Sequence, residues 1–278
     1  MKVRRWFGLV GAAVVALALT ACRVSAQATD PPPAPASLII DHTCVDAGDN
    51  VIPLDALDRA RVVPTLFGHE SVGWNVIGGL DQLSRQQTRR YGLDIGHTVE
   101  AWWYDQHRGL GEFFVRNANN VPGKAQAFEQ KLRSGVGDRV QAASLKLCWA
   151  DMQQATDVDQ AFATYTGVLE RMKQAYPRVT VIYWTMPLRR EAMLQEKRLR
   201  FNELMAAYVK THAVVLFDIA DIECHTPDGR LATNPTGNVA LWDGYTTDGG
   251  HLNDVGAQRV GRAWWWLMAR LAGWPGPK

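Results

Sequence analysis

Apolar residues in this 278-residue chain fall into two alternating kinds of run. Short runs rich in β-branched and aromatic residues, bounded by turn residues, predict strands over 61–67, 141–148, 179–186 and 214–218, with one more short strand inside 93–103. Between them, apolar positions recurring every three to four residues predict helices over 73–87, 123–134, 158–175, 190–210 and 253–271. Parallel neighbours need crossover connections, and helices between strands supply them. The expectation is an α/β domain with a mostly parallel sheet covered on both faces, whose functional groups gather at the carboxyl ends of the strands.

The first forty residues follow a different pattern. Lys2, Arg4 and Arg5 precede an apolar run from Trp6 to Ala18, which is short for a permanent span and is followed by Leu19-Thr20-Ala21-Cys22. That arrangement reads as a lipoprotein-type signal peptide over 1–21 with lipid on Cys22, hence an exported chain anchored to the membrane of a bacterial cell envelope. Residues 23–37 are polar and Pro-rich, so 22–40 reads as a flexible tether, leaving 41–278 as one domain. The formal charge of +2 includes the three basic residues of the leader, so the mature chain is near −1. Without a basic stripe, this balance gives no reason to expect nucleic acid as a partner. Beyond Cys22 the thiols are Cys44, Cys148 and Cys224. An odd count allows one internal disulfide at most, and Cys44 with Cys224 is the favoured pair because both sit in loop-like surroundings while Cys148 lies in an apolar strand.

Two segments carry chemistry. Ser71, in Phe67-Gly68-His69-Glu70-Ser71-Val72-Gly73, comes straight after a strand and before a helix, where a hydroxyl meets free helix N–H groups. Asp248 and His251, separated by Gly249-Gly250, supply a carboxylate and an imidazole on one turn. Taken singly, the first is an N-cap and the second a capping loop; together they make a nucleophile, a base and an acid. His69 stands two residues before Ser71 and so points to the same side of an extended segment, toward the pocket. No His or Cys pair has convincing metal-ligand spacing, so neither metal nor cofactor is expected. Of eleven tryptophans, Trp74, Trp102, Trp103 and Trp242 lie in stretches near the expected mouth and are candidates for an aromatic platform under a sugar ring or acyl chain.

The segments VVPTLFGHESVGWNVIGG and TTDGGHLNDVGAQRVG resemble the first and last blocks of the SGNH (GDSL-like) hydrolase superfamily, with Ser71 as nucleophile and Asp248 and His251 as acid and base. The resemblance covers residues 60 to 271 and implies a flavodoxin-like three-layer sandwich of about five parallel strands. It also implies metal-free acyl-ester chemistry on a small-molecule or glycan ester. The chain departs from the family in two places. His69-Glu70 replaces the Asp that precedes the nucleophile, and in LKLCWADM the Gly-x-Asn-Asp block retains only Asp151, with Cys148 and Ala150 at the Gly and Asn positions. Alanine cannot donate to an oxyanion. The replacement donors to be tested are Gly73, Asn117, Asn119, Asn120 and Lys146. A non-catalytic envelope protein that kept the fold, and an acyltransferase using the same triad, are the alternative readings.

Overall fold

The computed structural model describes residues 37–48, 50–116 and 120–277. The leader, Cys22, Asn117 and Asn119 lie outside the described residues. Seven strands, β1 (Leu38–Ile40), β2 (Thr65–His69), β3 (Ile95–Gly96), β4 (Leu110–Phe114), β5 (Ala142–Leu145), β6 (Thr180–Trp184) and β7 (Val215–Phe217), form one sheet in the order β1-β7-β6-β5-β2-β4-β3. Every pairing is parallel. The helices are α1 (His42–Asp46), α2 (Leu54–Ala60), α3 (Val72–Gln86), α4 (Thr88–Tyr91), α5 (Trp103–Gln106), α6 (Val121–Lys131), α7 (Val158–Ala175), α8 (Gln195–Thr211), α9 (Ile219–Cys224) and α10 (Asp254–Leu271).

The five central strands, β4-β2-β5-β6-β7, have the flavodoxin-like order, and β3 and β1 extend the two edges. The sheet therefore has seven strands where about five were expected. β1 lies within the stretch assigned to the tether, and its three residues pair with β7. β4 escaped the sequence pattern because Glu112 interrupts its apolar run, yet Glu112 is fully buried. The expected helix over 190–210 begins only at Gln195, because Arg190 is tied to a later loop by its N–H bond to the Gly249 carbonyl (2.9 Å). Cys44, Cys148 and Cys224 are all free thiols, so the Cys44–Cys224 pairing is not made. Burial pushes the Cys224 thiol well above its ordinary pKa.

Side-chain alternation divides the interior in two. Phe67, Ile182, Trp184 and Phe217 face α2, α3 and α10, whereas Leu66, Val181, Tyr183 and Leu216 face α6, α7 and α8, as the period of two along a strand requires. On the first face α3 and α10 approach so closely that a Cβ on Gly79 would overlap the Ala257 carbonyl. Trp264, Trp265 and Trp266 of α10 are all buried there. Reversal of the chain order at β2 opens the crevice of such sheets at its carboxyl end, and Ser71 follows β2 by two residues.

Asp218 caps α9, accepting from Asp221 N–H (3.1 Å) and from the Thr185 hydroxyl (2.8 Å). Burial pushes its carboxyl up to about 6 against these hydrogen bonds. The folded state therefore holds this proton more tightly than the unfolded chain, so its stabilising contribution is complete below pH ~4 and is lost as pH rises through ~6. Urea denaturation should show this loss, on the order of 3 kcal/mol at most. Asp218→Asn, which keeps the acceptor oxygen, should flatten stability across that window.

Candidate active site

Ser71 occupies the turn between β2 and α3 with φ 54° and ψ −111°. A non-glycine residue in that region is strained, and the turn is sharp enough to lift Oγ off the sheet edge. Oγ lies 2.7 Å from His251 Nε2, and His251 Nδ1 lies 2.7 Å from Asp248 Oδ2. The second carboxylate oxygen of Asp248 accepts from the backbone N–H groups of Gly250 (2.9 Å) and His251 (2.7 Å). Partial desolvation raises the Asp248 carboxyl, but the hydrogen bonds from the His251 backbone and ring and from Gly250 outweigh it and hold the group well below the usual carboxylate range. A charged Asp248 fixes the proton of His251 on Nδ1 and leaves Nε2 facing the serine.

The loop carrying Asp248 and His251 is held from three sides. Thr246 and Leu252 close it by an antiparallel bridge. Leu252 N–H donates to Asn75 Oδ1 (3.1 Å) in the first turn of α3, which ties the base directly to the nucleophile's helix. The Trp149 ring meets the His251 ring edge-on at 5.7 Å, and the Arg189 guanidinium covers Trp149 at 4.5 Å.

At the start of α3, Gly73 N–H is engaged by the Glu70 carbonyl (3.0 Å) and Trp74 N–H by the Ser71 carbonyl (2.7 Å). The N–H groups of Ser71 and Val72 have no acceptor among the described residues, as expected for the first turn of a helix. They are the donors next to Oγ. Gly73 does not offer its N–H; its role is steric, since a Cβ there would overlap the His69 ring. His69 is likewise withdrawn from any substrate. It is fully buried, with Nε2 2.9 Å from Glu112 Oε2, and burial lowers its pKa, so the neutral ring donates Nε2–H to the carboxylate. Lys146 is also fully buried and donates to the Leu147 carbonyl (3.0 Å). Asn120 caps α6 through Gly123 N–H (2.9 Å). His69 and Lys146 are thus buried and engaged away from the turn of Ser71, and Asn120 uses its side-chain oxygen as a helix cap.

The four tryptophans of the expected platform are dispersed. Trp74 is 44% exposed one turn from Ser71 and stacks on Phe114 at 5.9 Å. Trp242 lines a separate cleft. Trp102 is exposed, while Trp103 is buried against His107 and Tyr104 and presents no face.

Behind the serine, Lys124 Nζ sits 2.8 Å from both Glu70 Oε2 and Asp151 Oδ2, with almost no exposure. Burial lowers its pKa, yet the two carboxylates more than compensate and the net shift is upward. Asp151 also accepts from Cys148 N–H (2.7 Å). One buried cation thus joins the turn carrying Ser71 to the turn carrying Trp149. Sequence reasoning missed Lys124, Glu112 and Asn75, since each carries an ordinary surface-type side chain in an unremarkable local pattern.

Among the described residues, His42, Asp221 and His225 form one cluster with ligand-type atoms close together. Its imidazoles stack at 3.6 Å with 16° between planes, each Nδ1 on a different Asp221 oxygen (2.5 and 3.2 Å). Parallel rings aim their lone pairs side by side, so a shared ion would require one ring to turn.

No family model matches the chain, and no curated protein sequence is similar to it. Similar solved structures include a carbohydrate esterase family 3 protein from Talaromyces cellulolyticus (15% identity, TM-score 0.47, covering 72% of this chain and 93% of that one). They also include a family 3 carbohydrate esterase from Clostridium thermocellum (10%, 0.47, 76% and 100%). A third is described as a lipolytic protein of the G-D-S-L family from Desulfitobacterium hafniense DCB-2 (9%, 0.45, 74% and 98%). With identities this low, what the chain does must be argued from its own side chains.

Removing the Lys124 charge should leave the buried Asp151 carboxylate and the part-buried Glu70 carboxylate without their shared cation. Lys124→Met is expected to destabilise the protein by about 3–5 kcal/mol, read as a lower urea midpoint at an unchanged m-value.

Proposed function

We propose that this protein is a serine esterase-type hydrolase that cleaves acyl esters through a Ser71 acyl-enzyme. The observation that carries this reading is the unbroken hydrogen-bonded line that starts at Ser71 Oγ on a strained strand-to-helix turn and runs through His251 to Asp248, both links at 2.7 Å. Ser71 Oγ attacks the ester carbonyl carbon as its proton passes to His251 Nε2. The negative charge that develops on the carbonyl oxygen faces the Ser71 and Val72 N–H groups, which replace the side-chain donor absent at Ala150. His251 then returns the proton to the departing alkoxide, and the C–O bond breaks. A water molecule, deprotonated by the same imidazole, releases the acid and restores Ser71.

Hydrolysis is favoured over transfer because the His251 side chain is 43% exposed, so water has open access to the base that activates it. Trp74 and Phe114 supply an apolar wall beside Ser71. The leader and Cys22 support an exported, lipid-anchored protein of the cell envelope, so O-acyl groups on an envelope glycan or lipid are the substrates within its reach.

The loss of Asn at position 150 favours a second reading, a binding protein that has given up catalysis. Fluorophosphonate labelling of the leaderless protein separates the two. Stoichiometric modification mapped to Ser71, and lost in Ser71→Ala and His251→Ala, is the expected result; folded protein that stays unlabelled sinks the esterase reading. On an activated ester, Asp248→Asn should lower kcat by about 10²–10⁴-fold, because the imidazole loses the partner that sets its tautomer.

A further inference from the structure

A cleft of about 760 Å³ lies beside the segment that packs against the loop of Asp248 and His251. Its walls are residues 190–192 and the stretch from Thr226 to Asp243, and its lining includes Arg190, Glu191, Arg230, Leu231, Asn234 and Trp242. The volume falls within the ~300–1,000 Å³ typical of small-molecule sites. The cleft and the catalytic loop share a wall. Arg190 N–H donates to the Gly249 carbonyl (2.9 Å), and the Glu191 carboxylate lies where a Gly249 side chain would project. Gly249 stands between Asp248 and His251 in the chain.

The far wall is a built structure rather than a slack loop. His225 bridges Leu231 and Thr233 bridges Val239 in antiparallel fashion, and Ala232 N–H donates to the Cys224 carbonyl (2.7 Å). Within it, Asn234 Oδ1 accepts from the N–H groups of Thr236 (3.0 Å) and Asn238 (3.1 Å) and from the Thr236 hydroxyl (2.7 Å). Its Nδ2 is buried without a partner among the described residues, in a side chain only 5% exposed.

The chemistry of the lining selects the ligand class. Trp242 and Leu231, the latter 51% exposed, supply an apolar surface of the kind that packs against the C–H face of a pyranose. The cations are already neutralised: Arg190 lies 3.5 Å from Glu191 and 3.7 Å from Asp243, and Arg230 lies 2.7 Å from Asp228. Balanced charge disfavours a phosphate or carboxylate ligand. An acyl chain would take the exposed ion pairs of Arg190 with Glu191 and Asp243 out of water without offering them a hydrogen bond. A neutral, hydroxyl-rich ring satisfies both the apolar surface and the mixed donors and acceptors.

We propose that this cleft is a glycan subsite, which holds a sugar unit neighbouring the O-acylated unit presented to Ser71. The proposal rests on the esterase reading for its catalytic consequence and on the cleft alone for binding, so the two are tested separately. Kinetics on acetylated xylotriose, cellotriose and chitotriose, each against its acetylated monosaccharide, should give at least a tenfold higher kcat/KM for at least one of the trisaccharides. Trp242→Ala and the exposed-site variant Leu231→Glu, which does not disturb the core, should each erase most of that ratio. Equal kcat/KM for all three trisaccharide and monosaccharide pairs would overturn the subsite. So would a ratio untouched by Leu231→Glu, or a selective loss of 4-nitrophenyl octanoate hydrolysis in both variants, which would assign the cleft to an acyl chain. If no ester is turned over, 4-nitrophenyl acetate included, the esterase reading fails. Calorimetric titration of Ser71→Ala with the same trisaccharides then decides the subsite independently: saturable binding lost in the added Leu231→Glu change upholds it, and absence of binding overturns it.

Discussion

The approach of α3 to α10 is the constraint on which this architecture depends. Both helices begin at the same end of the molecule, and their registers run together: Asn75 meets Leu252, Gly79 meets Ala257, and Leu83 meets Gly261. Polar contacts follow the same seam, from Gln82 to Asp254 (2.8 Å) and from Gln258 to Gln82 (2.9 Å). Two parallel helices in backbone contact place their N-termini side by side, and the residues just before those termini are Ser71 and His251. Glycine at 79 is what allows the approach. A side chain would separate the helices, and the two ends of a serine–imidazole pair 180 positions apart in sequence would separate with them.

The nucleophile's strained turn needs support, and it comes from buried charge. Glu112 receives His69 on one side, together with Thr98 N–H and the half-exposed His97. Lys124 joins Glu70 and Asp151 on the other. Such groups are costly to bury singly and favourable only as satisfied sets. Their value here is geometric: they fix the residues on either side of β2's carboxyl end, so that φ of Ser71 is determined by its surroundings rather than by its own preference.

The same arrangement separates chemistry from recognition. The line from Ser71 to Asp248 is built on helix ends and a short bridged loop, while the surfaces of Trp74 with Phe114 and of the cleft around Trp242 are made by other residues. Changing those surfaces leaves the line from Ser71 to Asp248 intact.

The sequence by itself determined the α/β class and the positions of α3, α7 and α10 to within a residue or two, and it singled out Ser71, Asp248 and His251 as candidates. These follow from local rules, namely helical period, strand-ending turns and a Gly-Gly turn between acid and base, all readable within a few residues. Tertiary structure alone decided the rest. β4 was invisible because Glu112 looks like a surface residue until His69, 43 positions away, is placed against it. β1 is three residues long and is a strand only because β7 lies beside it. Gly73, His69 and Lys146 were plausible oxyanion or pocket groups by position, and each spends its polar or steric capacity elsewhere. Whether a charged or polar side chain is buried, capping or catalytic depends on partners distant in the chain, and local sequence does not encode those distances.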